Sequence, residues 1–160
     1  MRLDYHGTER TPVRLADAHA TTLTMSWNRG LLRQLVDATG ASISVDYDEY
    51  GQIMAITNGV GATWRFNHDE AGQISQILTP LGYRTELAYD EAGRLVERTD
   101  PDGACRSYDY DDAGRLEAST APDGGCTRYA WGPDGQITTI TDPTGATTTL
   151  SYDCLLYTSD

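Results

Sequence analysis

Long apolar runs are missing from this sequence. No stretch approaches the roughly 20 residues that a bilayer-spanning helix needs, so no membrane span is expected. The opening residues, MRLDYHGTERTPVRL, contain no apolar core and do not read as a signal peptide. Cysteine is sparse and odd in number, at Cys105, Cys126 and Cys154, which does not describe a disulfide framework. Basic residues are few: 12 against 24 acidic ones, for a formal charge of -12. That charge repels phosphate backbones and argues against a nucleic-acid partner. Phenylalanine occurs once, whereas tyrosine occurs ten times, and tyrosine suits a half-buried strand face where the ring packs and the hydroxyl stays wet. The apolar fraction of 39% is low for a globular chain and 16 glycines are many. Aromatic and β-branched residues are nonetheless spread throughout, which argues against disorder. At 160 residues the chain has room for one ordinary domain.

What the sequence does have is a period. Glycines stand at Gly30, Gly51, Gly72, Gly93, Gly114 and Gly135, each 21 residues after the last, and a second set stands at Gly40, Gly61, Gly82, Gly103, Gly124 and Gly145. An aliphatic follows each first-register glycine by two: Leu32, Ile53, Ile74, Leu95, Leu116, Ile137. A ring column, Tyr47, His68, Tyr89, Tyr110, Trp131 and Tyr152, keeps the same phase, and Asp48, Asp69, Asp90 and Asp111 directly follow four of its members.

Asp111-Asp112-Ala113-Gly114 puts Asp first and Gly fourth in a turn: Asp caps through its carboxylate and Gly supplies the positive φ. Asp100-Pro101-Asp102-Gly103 and Asp142-Pro143-Thr144-Gly145 do the same with proline fixing φ at the second place. Each unit therefore holds two reversals, with about seven residues between them, a common strand length. Tyr108 and Tyr110 alternate with Ser107 and Asp109, marking one buried and one wet face. The first strand of each unit is different: its apolar residues sit three apart, as in Ile53 and Ile56 or Ile74 and Ile77, which predicts a bulge. The expected fold is all-β, an antiparallel meander of about twelve strands in an open sheet that curls. Residues 30–40, GLLRQLVDATG, have a helical look but lie in register with five strand copies and are read as strand. A propeller would distinguish odd from even units, and these units do not.

The stretches Tyr89-Asp90-Glu91-Ala92-Gly93-Arg94-Leu95 and Tyr110-Asp111-Asp112-Ala113-Gly114-Arg115-Leu116 resemble the YDxxGRL motif of Rhs/YD-repeat proteins, and Asp100-Pro101-Asp102-Gly103 resembles their DPxG turn. Tyr47-Asp48-Glu49-Tyr50-Gly51-Gln52-Ile53 is a close variant; His68-Asp69-Glu70-Ala71-Gly72 and Trp131-Gly132-Pro133-Asp134-Gly135 are looser. The resemblance covers residues 26–153. It implies a long β-sheet wound into a hollow shell, such as encloses a C-terminal toxin in bacterial Rhs proteins and toxin-complex subunits, or takes part in adhesion in teneurins. No segment resembles the self-cleaving core that precedes the toxin, so the chain is expected to be an interior slice of a shell. Residues 1–25 are expected to be a degenerate repeat or N-terminal edge, with Trp27 filling the ring position through a loop one residue short. From Cys154 the tail CLLYTSD leaves the phase, with Leu156 where glycine is due. It resembles translated adapter sequence.

The candidate sites each have a plain structural reading. The row of turn aspartates could bind calcium, but each Asp already caps a turn and the nine-residue calcium repeat is missing. Arg94, Arg115, Arg106 and Arg128 read as solvated sheet-face residues pairing with carboxylates. His6, His19 and His68 are scattered, His68 being a ring in place of a ring, so a zinc site is not expected. Ser or Cys nucleophiles lack a supporting motif. Cys105 and Cys126 share a repeat position and so stand two strands, or about 9–10 Å, apart, too far for a disulfide. The ring column could be a glycan-stacking platform but reads first as filler of the inner face. The expectation is thus a non-enzymatic scaffold with no cofactor or metal. It would be secreted or carried at the cell surface, and partnered by its parent chain and an enclosed toxin domain. The alternative is a surface repeat module that binds glycan or protein.

Overall fold

The computed structural model of the chain describes residues 2–5, 12–16 and 22–152, with side chains from residue 23 onward. His6, His19 and the tail from residue 153 lie outside the described residues. The chain divides into two compact units, residues 1–85 and 86–160.

The first unit contains β1 (Arg2–Tyr5), β2 (Pro12–Ala16), β3 (Thr22–Asn28), β4 (Leu31–Val36), β5 (Ser42–Tyr47), β6 (Ile53–Asn58), β7 (Thr63–His68) and β8 (Ile74–Leu78). Every consecutive pair in it is antiparallel and hydrogen-bonded. The second unit contains β10 (Leu95–Thr99), β11 (Cys105–Tyr110), β12 (Leu116–Thr120), β13 (Cys126–Trp131), β14 (Ile137–Thr141) and β15 (Thr147–Thr149), together with most of β9 (Arg84–Tyr89). Its strands also pair next to next. The described residues contain no helix, and Leu31–Val36 is strand. The protein is an all-β antiparallel meander. The six 21-residue repeats supply β4 to β15, and β1 to β3 precede them as further strands of the same kind.

One turn design serves both glycine registers. At Asp90–Arg94 the Asp90 N–H donates to the Arg94 carbonyl at 3.0 Å and the Gly93 N–H donates back to the Asp90 carbonyl at 2.9 Å. Gly93 takes φ +79°, a left-handed conformation that costs a side-chain-bearing residue energy. The result is a type I turn closed by a glycine bulge, a common three-residue hairpin connection. Asp100–Ala104 and Asp37–Ala41 repeat the same pair of bonds.

The three-residue spacing in the first strand of each repeat has a direct cause. Tyr89 faces Leu95 but Ala88 faces Glu97, so Val96 is an extra residue. Glu117, Thr138, Met54 and Ser75 are extra in the same way in their hairpins. A bulge shifts the face by one position, so Ile53 and Ile56 end up on a common side. In the β3–β4 hairpin Trp27 faces Leu32 across a shorter connection, in which Arg29 and Gly30 both have positive φ. Trp27 thus fills the ring position with a loop one residue short.

Burial is partial and alternates along the strands, as in β9, where exposed and half-buried residues take turns. Among the described residues only Val45 and Ala118 are buried apolar side chains, and no large side chain is fully enclosed. Tyr108, Tyr110, Leu87 and Phe66 are half-buried. A sheet covers its own faces only with side chains lying flat along it; a dry core needs a second layer.

Candidate functional site: the repeat junction and an open groove

Four of the six first-register hairpins end in an aspartate-capped turn, opened by Asp48, Asp69, Asp90 and Asp111. Asp90 accepts from the N–H groups of Ala92 and Arg94, both at 2.9 Å. Asp111 accepts likewise from Ala113 at 3.0 Å and Arg115 at 2.9 Å, and Asp48 from Tyr50 and Gln52. Asp69 accepts from Gln73. These bonds explain why Asp, whose carboxylate reaches its own backbone two and four residues on, opens the turn. In the second register Asp37, Asn58 and Asp142 cap in the same manner. Where Ala121 opens the turn, Asp123 substitutes by accepting from Gly125 at 2.9 Å.

The arginine after the turn glycine does more than pair with a carboxylate. Arg94 Nε donates to Asp90 Oδ2 at 2.7 Å, and its guanidinium carbon stands 4.9 Å from the centre of the Tyr110 ring. Arg115 Nε donates to Asp111 Oδ2 at 2.8 Å while its guanidinium stands 5.6 Å from the Trp131 ring. The ring is then bonded in turn: Tyr110 donates its hydroxyl to the Leu95 carbonyl at 2.8 Å, and Trp131 donates Nε1–H to the Leu116 carbonyl at 2.8 Å. Tyr47 donates to the Leu32 carbonyl at 2.9 Å, with Arg33 over its ring at 5.7 Å.

These acceptors need an outside donor because of the bulge. The β10–β11 ladder runs from Thr99 opposite Cys105 only as far as Glu97 opposite Ser107. The Leu95 carbonyl lies past its end, and the tyrosine of the following hairpin satisfies it, as a half-buried carbonyl requires. Turn aspartate, arginine, ring and bulge carbonyl thus form one staple between successive repeats.

The electrostatics follow the contacts. Backbone donation from Arg94, aided by its guanidinium and outweighing an opposing desolvation, holds the Asp90 carboxyl below the ordinary range. The Arg115 side chain, then its N–H, does the same to Asp111. The Thr39 hydroxyl lowers Asp37, and the Thr144 hydroxyl lowers Asp142.

The staple is incomplete between residues 48 and 72. Gln52 stands where Arg94 and Arg115 stand in two of the later repeats, and His68 where tyrosine or tryptophan stands. The Gln52 amide lies against the turn Gly72, as Arg94 lies against Gly114. An open groove of 910 Å³ results, lined by Asp48, Tyr50, Gln52, Phe66, His68 and Glu70 among others. Tyr50 is 82% exposed and Met54 is 50% exposed beside it.

The remaining sequence candidates are placed as follows. The twelve register glycines all have positive φ, from +74° to +89°. Tyr89 is half-buried on β9, whereas Tyr152 is 54% exposed beyond β15. Arg106 and Arg128 are exposed. Cys105 and Cys126 are free thiols. Among the described residues no group of three or more His, Cys, Asp or Glu side chains is placed to hold a metal, and no helix is long and apolar enough to cross a membrane. Reading the sequence alone missed the ring stacking of Arg94 and Arg115. The signal was there in the constant 16-residue interval from each arginine to the next ring.

No curated protein matches the sequence. Among solved structures, the chain is similar to a TcdB2-TccC3-TEV crystal structure, with TM-score 0.67, 17% identity, and coverage of 82% of this chain and 8% of that one. It is also similar to TcdB2-TccC3 itself, with TM-score 0.60, 16% identity, and coverage of 88% and 9%. A third similarity is to the Photorhabdus luminescens Tc holotoxin pore with a TccC3 mutation, with TM-score 0.57, 18% identity, and coverage of 76% and 7%. These identities establish a shared fold, and the chain spans less than a tenth of the length of each of the three. The RHS Repeat family matches residues 47–85, 68–104, 89–125 and 110–147 in overlapping steps, covering the stapled hairpins and more than half of the sequence, and the chain belongs to that family.

Proposed function

We propose that this chain is a length of non-enzymatic wall, part of a β-shell that encloses a C-terminal toxin in a secreted bacterial Rhs-type protein. The observation that carries this reading is the staple: the repeats around Arg94 and Arg115 spend a turn carboxylate, an arginine and a ring on holding their neighbours. Asp90, Asp111, Arg94 and Arg115 are thus engaged in holding the sheet together, which is what a wall asks of them. Membership of the RHS Repeat family supports the reading, as does likeness in fold to the Tc holotoxin pore.

The test is protection of a cargo. The genomic reading frame around this sequence would be expressed whole and with residues 47–147 deleted, and both forms treated with protease under native conditions. A terminal domain cut slowly in the whole protein and rapidly in the deletion supports the shell. Equal cutting in both would sink it. A second reading, a surface module that binds glycan or protein, is favoured by one observation, the open groove with exposed Tyr50. Saturable binding of the isolated chain on a glycan array would move the balance to it.

A further inference from the structure

The groove between residues 48 and 72 is where the repeat fails to fill itself. In the later hairpins a guanidinium occupies the space between a turn carboxylate and the next ring: Arg94 between Asp90 and Tyr110, Arg115 between Asp111 and Trp131. The groove keeps the equivalents of every part except the cation. Asp48 stands for Asp90, Phe66 for Tyr108, and His68 for Tyr110, each 42 residues earlier, while Gln52 replaces Arg94. Three carboxylates, Asp48, Asp69 and Glu70, line it with three rings, Tyr50, Phe66 and His68, and no arginine lines it. The chain has no lysine at all; its 12 basic residues are all arginine.

We infer that this groove docks an arginine side chain carried on a segment of a partner polypeptide, the guanidinium restoring from outside the contact that Arg94 and Arg115 make from within. Charge complementarity selects a cation for three carboxylates. The flat rings select a planar cation, since a guanidinium stacks and forks to a carboxylate where an ammonium acts as a point charge. The inference does not rest on the shell reading, because the groove lies wholly within one unit and its chemistry is local.

The full chain would be titrated, by NMR and calorimetry, with a short capped peptide bearing one arginine. Matched peptides carrying lysine, citrulline or alanine, and a neutral oligosaccharide, serve as comparisons. The arginine peptide is expected to bind saturably and to shift the Tyr50 and His68 ring signals. The citrulline peptide should be weaker by about tenfold or more, with lysine between them. Glu70→Gln and Tyr50→Ala should each weaken binding several-fold. Gln52→Arg should fill the groove from within and abolish binding while circular dichroism and melting show an intact fold. Equal binding of citrulline or oligosaccharide would overturn the inference. So would undiminished binding by folded Gln52→Arg, or no binding of the arginine peptide at millimolar concentration.

Discussion

The hairpin tips at residues 90–115 and 48–73 are built on the same backbone plan, with the same aspartate-capped turn and the same bulge. Around the junction they differ in four side chains: Tyr50 for Ala92, Gln52 for Arg94, Phe66 for Tyr108 and His68 for Tyr110. Arginine and tyrosine in the later stretch give a closed, cross-linked junction, whereas glutamine and histidine in the earlier one leave an open groove. The repeat backbone is therefore the same whether its junction is stapled or open, and the difference lies in the side chains the hairpins carry.

The comparison breaks most severely if the shared backbone is removed. Gly114→Val puts a β-branched residue at φ +79°, where such residues are strained, and should cost about 1–3 kcal/mol by denaturant unfolding. An unchanged midpoint would mean that the turn is not as described. Gly72→Val should cost at least as much, because the Gln52 amide already crowds that position.

The next largest effect separates the two junctions. Tyr110→Phe keeps the ring but deletes the donor to the Leu95 carbonyl, and should destabilise by about 0.5–1.5 kcal/mol. Tyr152→Phe, on a ring 54% exposed, should fall within error of the parent; equal losses at both positions would remove the staple from the account.

Installing the staple where it is missing sharpens the contrast. Gln52→Arg combined with His68→Tyr is expected to raise the melting temperature by a few degrees, the scale of about 0.5–1 kcal/mol in a chain of this size. A fall in melting temperature would show that the earlier junction cannot accept the later one's packing.

The smallest effect is the pH response. Asp90 and Asp111 are held below the ordinary carboxylate range when folded, so each binds protons less readily in the folded state than in the unfolded one. Their contribution is present above about pH 4 and fades as pH falls through the depressed folded values. A double Asp90→Asn, Asp111→Asn variant should show a shallower loss of melting temperature between about pH 4 and pH 2 than the parent.

Much of this architecture could be read without coordinates, because period and turn chemistry act locally. Glycine and aspartate at fixed offsets dictate a reversal whatever surrounds them, and Ile53 with Ile56 betrays the bulge through the alternation it breaks. The staple was less legible. Its donor and acceptor, Tyr110 and Leu95, lie 15 residues apart in different hairpins, and a backbone carbonyl leaves no mark in the sequence. The groove was hidden for another reason. Gln for Arg and His for Tyr are each mild exchanges, and only their coincidence at one junction removes both the cation and the hydroxyl. The period of two reports which side chains share a face, as the alternation along β9 shows, and is silent on whether anything covers it.

The staple also has a direction. In three hairpins a ring donates backwards, from a later hairpin to the carbonyl of an earlier one: Tyr47 to Leu32, Tyr110 to Leu95, Trp131 to Leu116. Deleting the earlier member of a pair leaves an idle hydroxyl that water readily serves. Deleting the later one strands a half-buried acceptor and strips the arginine of its ring. Shortening such an array from its two sides is therefore unequal, and ancestral gain or loss of repeats should have been tolerated more readily at the leading side than at the trailing one.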